Sequence, residues 1–197
     1  MMRLLRSNHL SGEKGRPMRA ITFACLLSTA NAVCHADVIT VCADGCDHVS
    51  INAAIASASD GDFIELAAEV YTEGSAIEIG GKSITLLGAT DADGGPASIL
   101  DGSITHRVIR YTGDGAGTTS LENLVIQNGA GDSSGGGGIY ISSGSPVIYN
   151  CLFTGNQAGG DGGAARSSNS SPTFEACVFS DNGPSRSGGG LHHTDGT

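Results

Sequence analysis

Tryptophan is missing from the 197-residue chain, aromatic residues make up only 5% of it and charged residues only 15%. Lysine occurs just at Lys14 and Lys82. A helical or mixed domain ordinarily carries about 25% charged residues and long runs of helix formers, so this balance argues against both. No apolar run is long enough to anchor the chain in a membrane; the best stretch, Met18 to Ala36, is too short and too polar. Positive charge is scarcer still once that stretch is set aside. Residues 37–197 hold 5 basic against 19 acidic side chains, hence a net charge of −14. Such a surface repels polyanions, which argues against nucleic acid and leaves bare polyuronate chains as ligands only through a divalent cation. What the chain has in quantity is glycine, 31 residues.

Residues 1–36 read as a secretory signal, with an apolar stretch and small-residue cleavage options at Ala30-Asn31-Ala32 or Cys34-His35-Ala36. The preceding seventeen residues are long and polar for a basic leader, so Met18 is a candidate start. The expectation is a secreted, extracellular or cell-surface (outer-membrane-associated) protein. Cys25 and Cys34 leave with the signal, and four cysteines remain in an oxidising compartment. Cys42 and Cys46 flank a glycine turn in "CADGC" and read as a small disulfide; a metal site there would lack ligands, since only His48 lies near.

"GSPVIYNCLFTGN" (Gly144 to Asn156) is answered by "SSPTFEACVFSDN" (Ser170 to Asn182), with Pro, Cys, Phe and Asn each displaced by 26 positions. A unit written twice at a fixed period is a unit stacked on itself. Alternation places Ile148, Cys151 and Phe153 inward, with Phe174, Cys177 and Phe179 in the next copy and Leu121, Leu124 and Ile126 in "LENLVIQNG". Asn123 and Asn150 break the alternation without breaking the apolar face, which marks a corner in left-handed backbone and a ladder of stacked amides that Ala176 interrupts. Strands after the Gly-rich loops ("GIYI", "GAAR", "GLHH") supply a third side. The fold class is therefore all-β, a single-stranded right-handed parallel β-helix. Cys151 and Cys177 then lie about 4.8 Å apart with parallel side chains, which suits a reduced buried ladder better than a disulfide.

"GGGI" (Gly136 to Ile139) with "FTGN" (Phe153 to Asn156), then "GGAA" with "FSDN" and "GGGL", resembles the Gly-Gly-x-Ile and Phe-x-x-Asn repeats of polymorphic outer-membrane proteins, surface β-helical adhesins. Val49 to Asp91 is similar to the opening of pectin-lyase-fold proteins. Within it Ile51, Ala54, Ile55 and Ala58 share one helical face, and Ser50 is placed to cap. The organisation expected is a first strand and capping helix over 37–60 and a β-helix over 61–197. The last repeat, "GGGLHHTDGT", stops before its Pro, Cys and Phe, and further rungs, with any anchor, are expected beyond Thr197.

Enzymes of this fold act on pectin, but the residues their chemistry needs are missing. The only glutamines, Gln127 and Gln157, have no aspartate beside them, and there is no Asp-Asp pair for hydrolysis. Arg166 with Asp161 is the sole candidate for lyase-type proton abstraction. Asp91, Asp93 and Asp101 in "DADGGPASILDG" are the calcium candidates, a solvated turn being the competing reading; no other cofactor is implied. His192 and His193 alternate across a strand and point apart, which suits structure better than metal. Asn169 opens a glycosylation sequon. Two functions remain: a non-catalytic adhesion, structural or carbohydrate-binding wall facing a polysaccharide or a cell-surface protein, or a polysaccharide lyase or hydrolase whose catalytic rungs lie elsewhere.

Overall fold

The computed structural model describes residues 36–113, 117–184 and 186–194. The predicted signal, with Met18, lies outside the described residues. Strand β1 (Val38–Val41) leads through the disulfide loop to helix α1 (Ile51–Ser57). Five coils follow. The first is β2 (Phe63–Leu66), β3 (Val70–Tyr71) and β4 (Ile77–Ile79), and the second β5 (Thr85–Gly88), β6 (Ser98–Asp101) and β7 (Ile109–Tyr111). The third is β8 (Ser120–Glu122), β9 (Leu124–Gln127), β10 (Ala130–Gly131) and β11 (Ile139–Ser142). The fourth is β12 (Val147–Tyr149), β13 (Leu152–Thr154), β14 (Gln157–Ala158) and β15 (Ala165–Ser168). The fifth is β16 (Thr173–Glu175), β17 (Val178–Ser180), β18 (Gly183–Pro184) and β19 (Leu191–Thr194).

Every pairing between these strands is parallel, and each strand pairs with its counterpart one coil away. Sheet 1 runs β1-β2-β5-β8-β12-β16, sheet 2 runs β3-β6-β9-β13-β17 and sheet 3 runs β4-β7-β11-β15-β19. A three-stranded strip, β10-β14-β18, which the repeat pattern did not announce, lines the glycine loops. This is a parallel β-helix with one short helix among the described residues, the class expected. Its inward residues form files: Ile64, Leu86, Leu121, Ile148 and Phe174 on sheet 1, and Tyr71, Leu100, Ile126, Phe153 and Phe179 on sheet 2. Phe153 and Phe179 stack at 4.9 Å between centroids, and Phe174 meets Phe179 edge-on at 5.7 Å.

The corner between sheets 1 and 2 falls at Asn123, Asn150 and Ala176, with φ of 57°, 48° and 52°. Asn150 Nδ2 donates to Asn123 Oδ1 at 2.8 Å and to Gly94 O at 3.0 Å. Two further corners, unforeseen in the sequence, repeat the device at Asn128, Gly155 and Asp181 and at Ser143 and Asn169, all with positive φ. The sequon residue Asn169 is thus a corner. The first glycine of each Gly-Gly-x-Ile segment, Gly136, Gly162 and Gly188, also has positive φ. At Gly137 the requirement is closeness: a Cβ there would lie 2.0 Å from the Gln157 carbonyl oxygen.

Helix α1 begins at Ser50, whose Oγ accepts from the Ala53 amide at 3.2 Å. The Glu73 carboxylate accepts from Ser50 Oγ and from the Ile51 and Asn52 amides, a negative group on orphan N–H groups. Lys82 Nζ donates to the carbonyls of Ile55, Ala56 and Ala58 at the other end. Ile51, Ala54, Ile55 and Ala58 are buried, so the helix packs the face its spacing announced. Asn52 covers the edge of β4, accepting from the Glu78 amide and donating to Ala76 O.

Candidate functional site

A strand whose neighbours on either side point inward must point its middle residue out. In β4 "IEI" that residue is Glu78, in β7 "IRY" Arg110, in β11 "IYIS" Tyr140, in β15 "ARSS" Arg166 and in β19 "LHHT" His192. Parallel register puts all five in one file up the outer face of sheet 3. At about 4.8 Å per strand the file is about 19 Å long. Beside it Ser142, Ser168 and Thr194 form a second file of hydroxyls. Of the five basic residues in 37–197, Arg107, Arg110 and Arg166 belong to this wall.

Arg107 is its brace. The guanidinium lies 4.9 Å from the Tyr140 ring centroid. It donates to Gly136 O at 2.8 Å, Gly135 O at 2.7 Å, Ser134 Oγ at 3.0 Å and Asp132 Oδ1 at 3.1 Å. This clamps the glycine loop of the third coil and holds the tyrosine ring. Donors from the Ser134 hydroxyl and amide, with the Arg107 charge, hold Asp132 below the usual carboxylate range against slight burial. Arg110 faces Glu78 at 3.9 Å with both side chains about half exposed, a solvent-screened pair worth little. Arg166 donates Nη1 to Ser134 O, tying the fourth coil to the same loop. Its Nε, and Nδ1 of His192 directly above, are buried with no hydrogen-bond partner among the described residues.

The other sequence candidates are placed apart from this wall or from one another. Asp161 lies 3.9 Å from His192 Nε2, while Arg166, its candidate partner for proton abstraction, donates to the glycine loop instead. His193 lies in register with Ser167, on the opposite side of the strand from His192, and remains exposed; its Nδ1 lies 2.7 Å from Ser167 Oγ. Asp91 Oδ1 accepts from the Asp93 and Gly95 amides, closing its own turn. Asp101 accepts from Gln127 Nε2 at 2.8 Å, Asn128 Nδ2 at 3.0 Å and the Ser103 amide at 2.7 Å. Partial burial would raise its pKa, but those donors, Gln127 foremost, bring it below the usual range. The three calcium candidates do not converge, and among the described residues no group of three His, Cys, Asp or Glu side chains is placed to hold a metal ion.

Cys42 and Cys46 form a disulfide with Cα atoms 5.5 Å apart. Cys151 and Cys177 are free thiols, the first buried and the second half-buried. The neighbouring Cys177 sulfur, together with burial, pushes Cys151 far up, while the closeness of Cys151 draws Cys177 down to about 7.

A second amide ladder, not expected from the sequence, joins the coils at the Asn of Phe-x-x-Asn. Asn156, fully buried, accepts from the Gly129 amide at 2.9 Å and donates to Ile126 O at 2.9 Å and Asn182 Oδ1 at 3.0 Å. Asn182 in turn donates to Phe153 O. The Asn of Phe-x-x-Asn thus spans three coils; its recurrence after 26 residues was the available signal.

Chemically, sheet 3 offers donors, hydroxyls and one aromatic face on a flat support of fixed spacing. That arrangement suits an extended polar ligand contacted over many rungs. Comparison with protein-family models, with curated proteins and with solved structures returns no match for this chain. Among the described residues no helix is long and apolar enough to cross a membrane.

Proposed function

We propose that this chain is a secreted, non-catalytic β-helical binding protein whose third wall holds an extended polysaccharide. The supporting observation is the in-register file Glu78, Arg110, Tyr140, Arg166 and His192, flanked by hydroxyl-bearing residues. An aromatic ring braced by Arg107 stacks on a sugar face, and guanidinium groups donate to ring hydroxyls, each contact modest and the sum set by the number of rungs engaged. The Gly-Gly-x-Ile and Phe-x-x-Asn segments, which resemble the repeats of surface adhesins, and the similarity of residues 49–91 to the opening of pectin-lyase-fold proteins support the same reading.

Affinity electrophoresis of the full chain through a panel of neutral and acidic polysaccharides tests this. Retardation by at least one polymer is expected, with Tyr140→Ala and Arg110→Ala each weakening it about tenfold while the far-ultraviolet dichroism stays unchanged. Failure of every polymer to retard the protein, or retardation indifferent to both substitutions, would overturn the proposal. So would release of reducing or unsaturated sugar ends.

A further inference from the structure

Charge is spread unevenly over the three walls. The strands of sheets 1 and 2 contain no basic residue, and sheet 1 points out Glu65, Glu122 and Glu175 in one file. The three ion pairs found among the described residues all lie on or beside sheet 3. They are Arg107 with Asp132 at 3.1 Å, Arg110 with Glu78 at 3.9 Å and His192 with Asp161 at 3.9 Å, the last charged only when the histidine is protonated. Arg166, in file with Arg110, supplies a third guanidinium. With His192 neutral, the carboxylates of Glu78, Asp132 and Asp161 cancel the guanidinium groups of Arg107, Arg110 and Arg166. Sheet 3 is thus an electrically balanced wall on a chain whose residues 37–197 carry a net charge of −14.

We infer that sheet 3 takes a neutral polysaccharide joined in an extended β-1,4 chain, one sugar to a coil, and rejects both charged polymers and coiled ones. This names the ligand class of the wall and rests on the reading of sheet 3 as a polysaccharide site. Balance selects for neutrality. A guanidinium offers only donors and a carboxylate only acceptors, so a compensated pair presents both, and a sugar hydroxyl uses both. Glu78 and Arg110, each about half exposed, are such a pair. A polyanion finds no surplus positive charge on this wall and is repelled by the rest of the chain.

Spacing selects the linkage. Side chains of the outer file recur at the strand separation, about 4.8 Å. A β-1,4 chain of glucose, mannose or xylose has both bridging oxygens equatorial, so it stays extended and advances by close to that distance per sugar. Glu78, Arg110, Tyr140, Arg166 and His192 then each face one sugar, with Ser142, Ser168 and Thr194 alongside the last three. An α-1,4 chain of the same glucose winds into a helix and falls out of step with the file. Each contact is modest, and only a ligand that keeps step with the coils adds them together.

Affinity electrophoresis of the full chain tests this with hydroxyethyl cellulose, xylan and glucomannan as neutral β-1,4 polymers. Carboxymethyl cellulose serves as the charged form of the first backbone and amylose as its α-1,4 isomer. At least one neutral β-1,4 polymer is expected to bind at least about tenfold more tightly than carboxymethyl cellulose and than amylose. Glu78→Gln removes the counter-charge of Arg110 and is expected to narrow the margin over carboxymethyl cellulose about threefold, with the dichroism unchanged because the site is exposed. Amylose or carboxymethyl cellulose binding as tightly as the best neutral β-1,4 polymer, or a margin indifferent to Glu78→Gln, would overturn this inference while leaving the wall a polysaccharide site. Binding of no polymer would remove the polysaccharide site itself, and this inference with it.

Discussion

The first two coils and the last three build the same three walls from different sequence logic. From Ile64 to Leu86 the step is 22 residues and from Leu86 to Leu121 it is 35, whereas Leu121 to Ile148 takes 27 and Ile148 to Phe174 takes 26. Early coils are filled by Ile and Leu and closed by a helix tied down through Glu73 and Lys82. Late coils carry a stacked Phe pair, a buried Asn ladder and glycine loops in left-handed backbone. Stacking in space therefore needs only matched strand faces, while a sequence period appears where the turns themselves are built alike.

The largest effect separating the two regions is expected at glycine. Gly137→Ala forces a Cβ onto the Gln157 carbonyl and is expected to cost at least about 3 kcal/mol, whereas Gly80→Ala, with open space around it, is expected to shift stability by no more than about 0.5 kcal/mol. Denaturant melts of both check this; equal effects would erase the distinction. Next come the buried polar groups. Asn156→Ala strands the Gly129 amide and the Ile126 carbonyl and is expected to cost about 2–3 kcal/mol, against about 1–2 kcal/mol for Ser98→Ala, whose hydroxyl binds Ala67 O and the Ala89 amide.

A chemical contrast follows at the thiols. Cys177, drawn to about 7, is expected to alkylate with a pH midpoint below that of an ordinary thiol, while buried Cys151 stays unmodified until the chain unfolds. Mass spectrometry after iodoacetamide treatment across pH 6–9 reads both. Alkylation of Cys151 in the folded state would contradict the placement.

The smallest effect concerns acid. Asp47, hydrogen-bonded by Thr40, and Asp132, hydrogen-bonded by Ser134, are held below their ordinary pKa in the fold. Depressed carboxylates contribute stability that is full above the unfolded value of about 3.9 and lost as pH falls through the folded values. Denaturation midpoints are therefore expected to drop from pH 5 towards pH 2, with Asp132→Asn showing a shallower drop. A flat profile would count against both contacts.

These differences also explain what could be read in advance. The corner at Asn123 and Asn150 was legible because a single residue broke a clean alternation and asparagine tolerates left-handed backbone. The corners at Asn128 and Ser143 were hidden, since each falls beside glycine-rich turns where many residues could serve. Tyr140, Arg166 and His192 recur after 26 residues, so that part of the sheet 3 file was within reach. Glu78 and Arg110 were not, because steps of 32 and 30 residues separate them and Tyr140. Spacing could not show that Asp161 faces His192 and leaves Arg166 to the glycine loop, because loop conformation decides it.

The most direct test of coil-on-coil stacking is nuclear Overhauser contact between backbone protons of strands one coil apart. Stacked coils give cross-strand contacts linking Leu121 with Ile148 and Ile148 with Phe174, and Phe153 with Phe179, all in parallel register. Antiparallel contacts between chain neighbours such as β12 and β13, with the one-coil contacts missing, would contradict it.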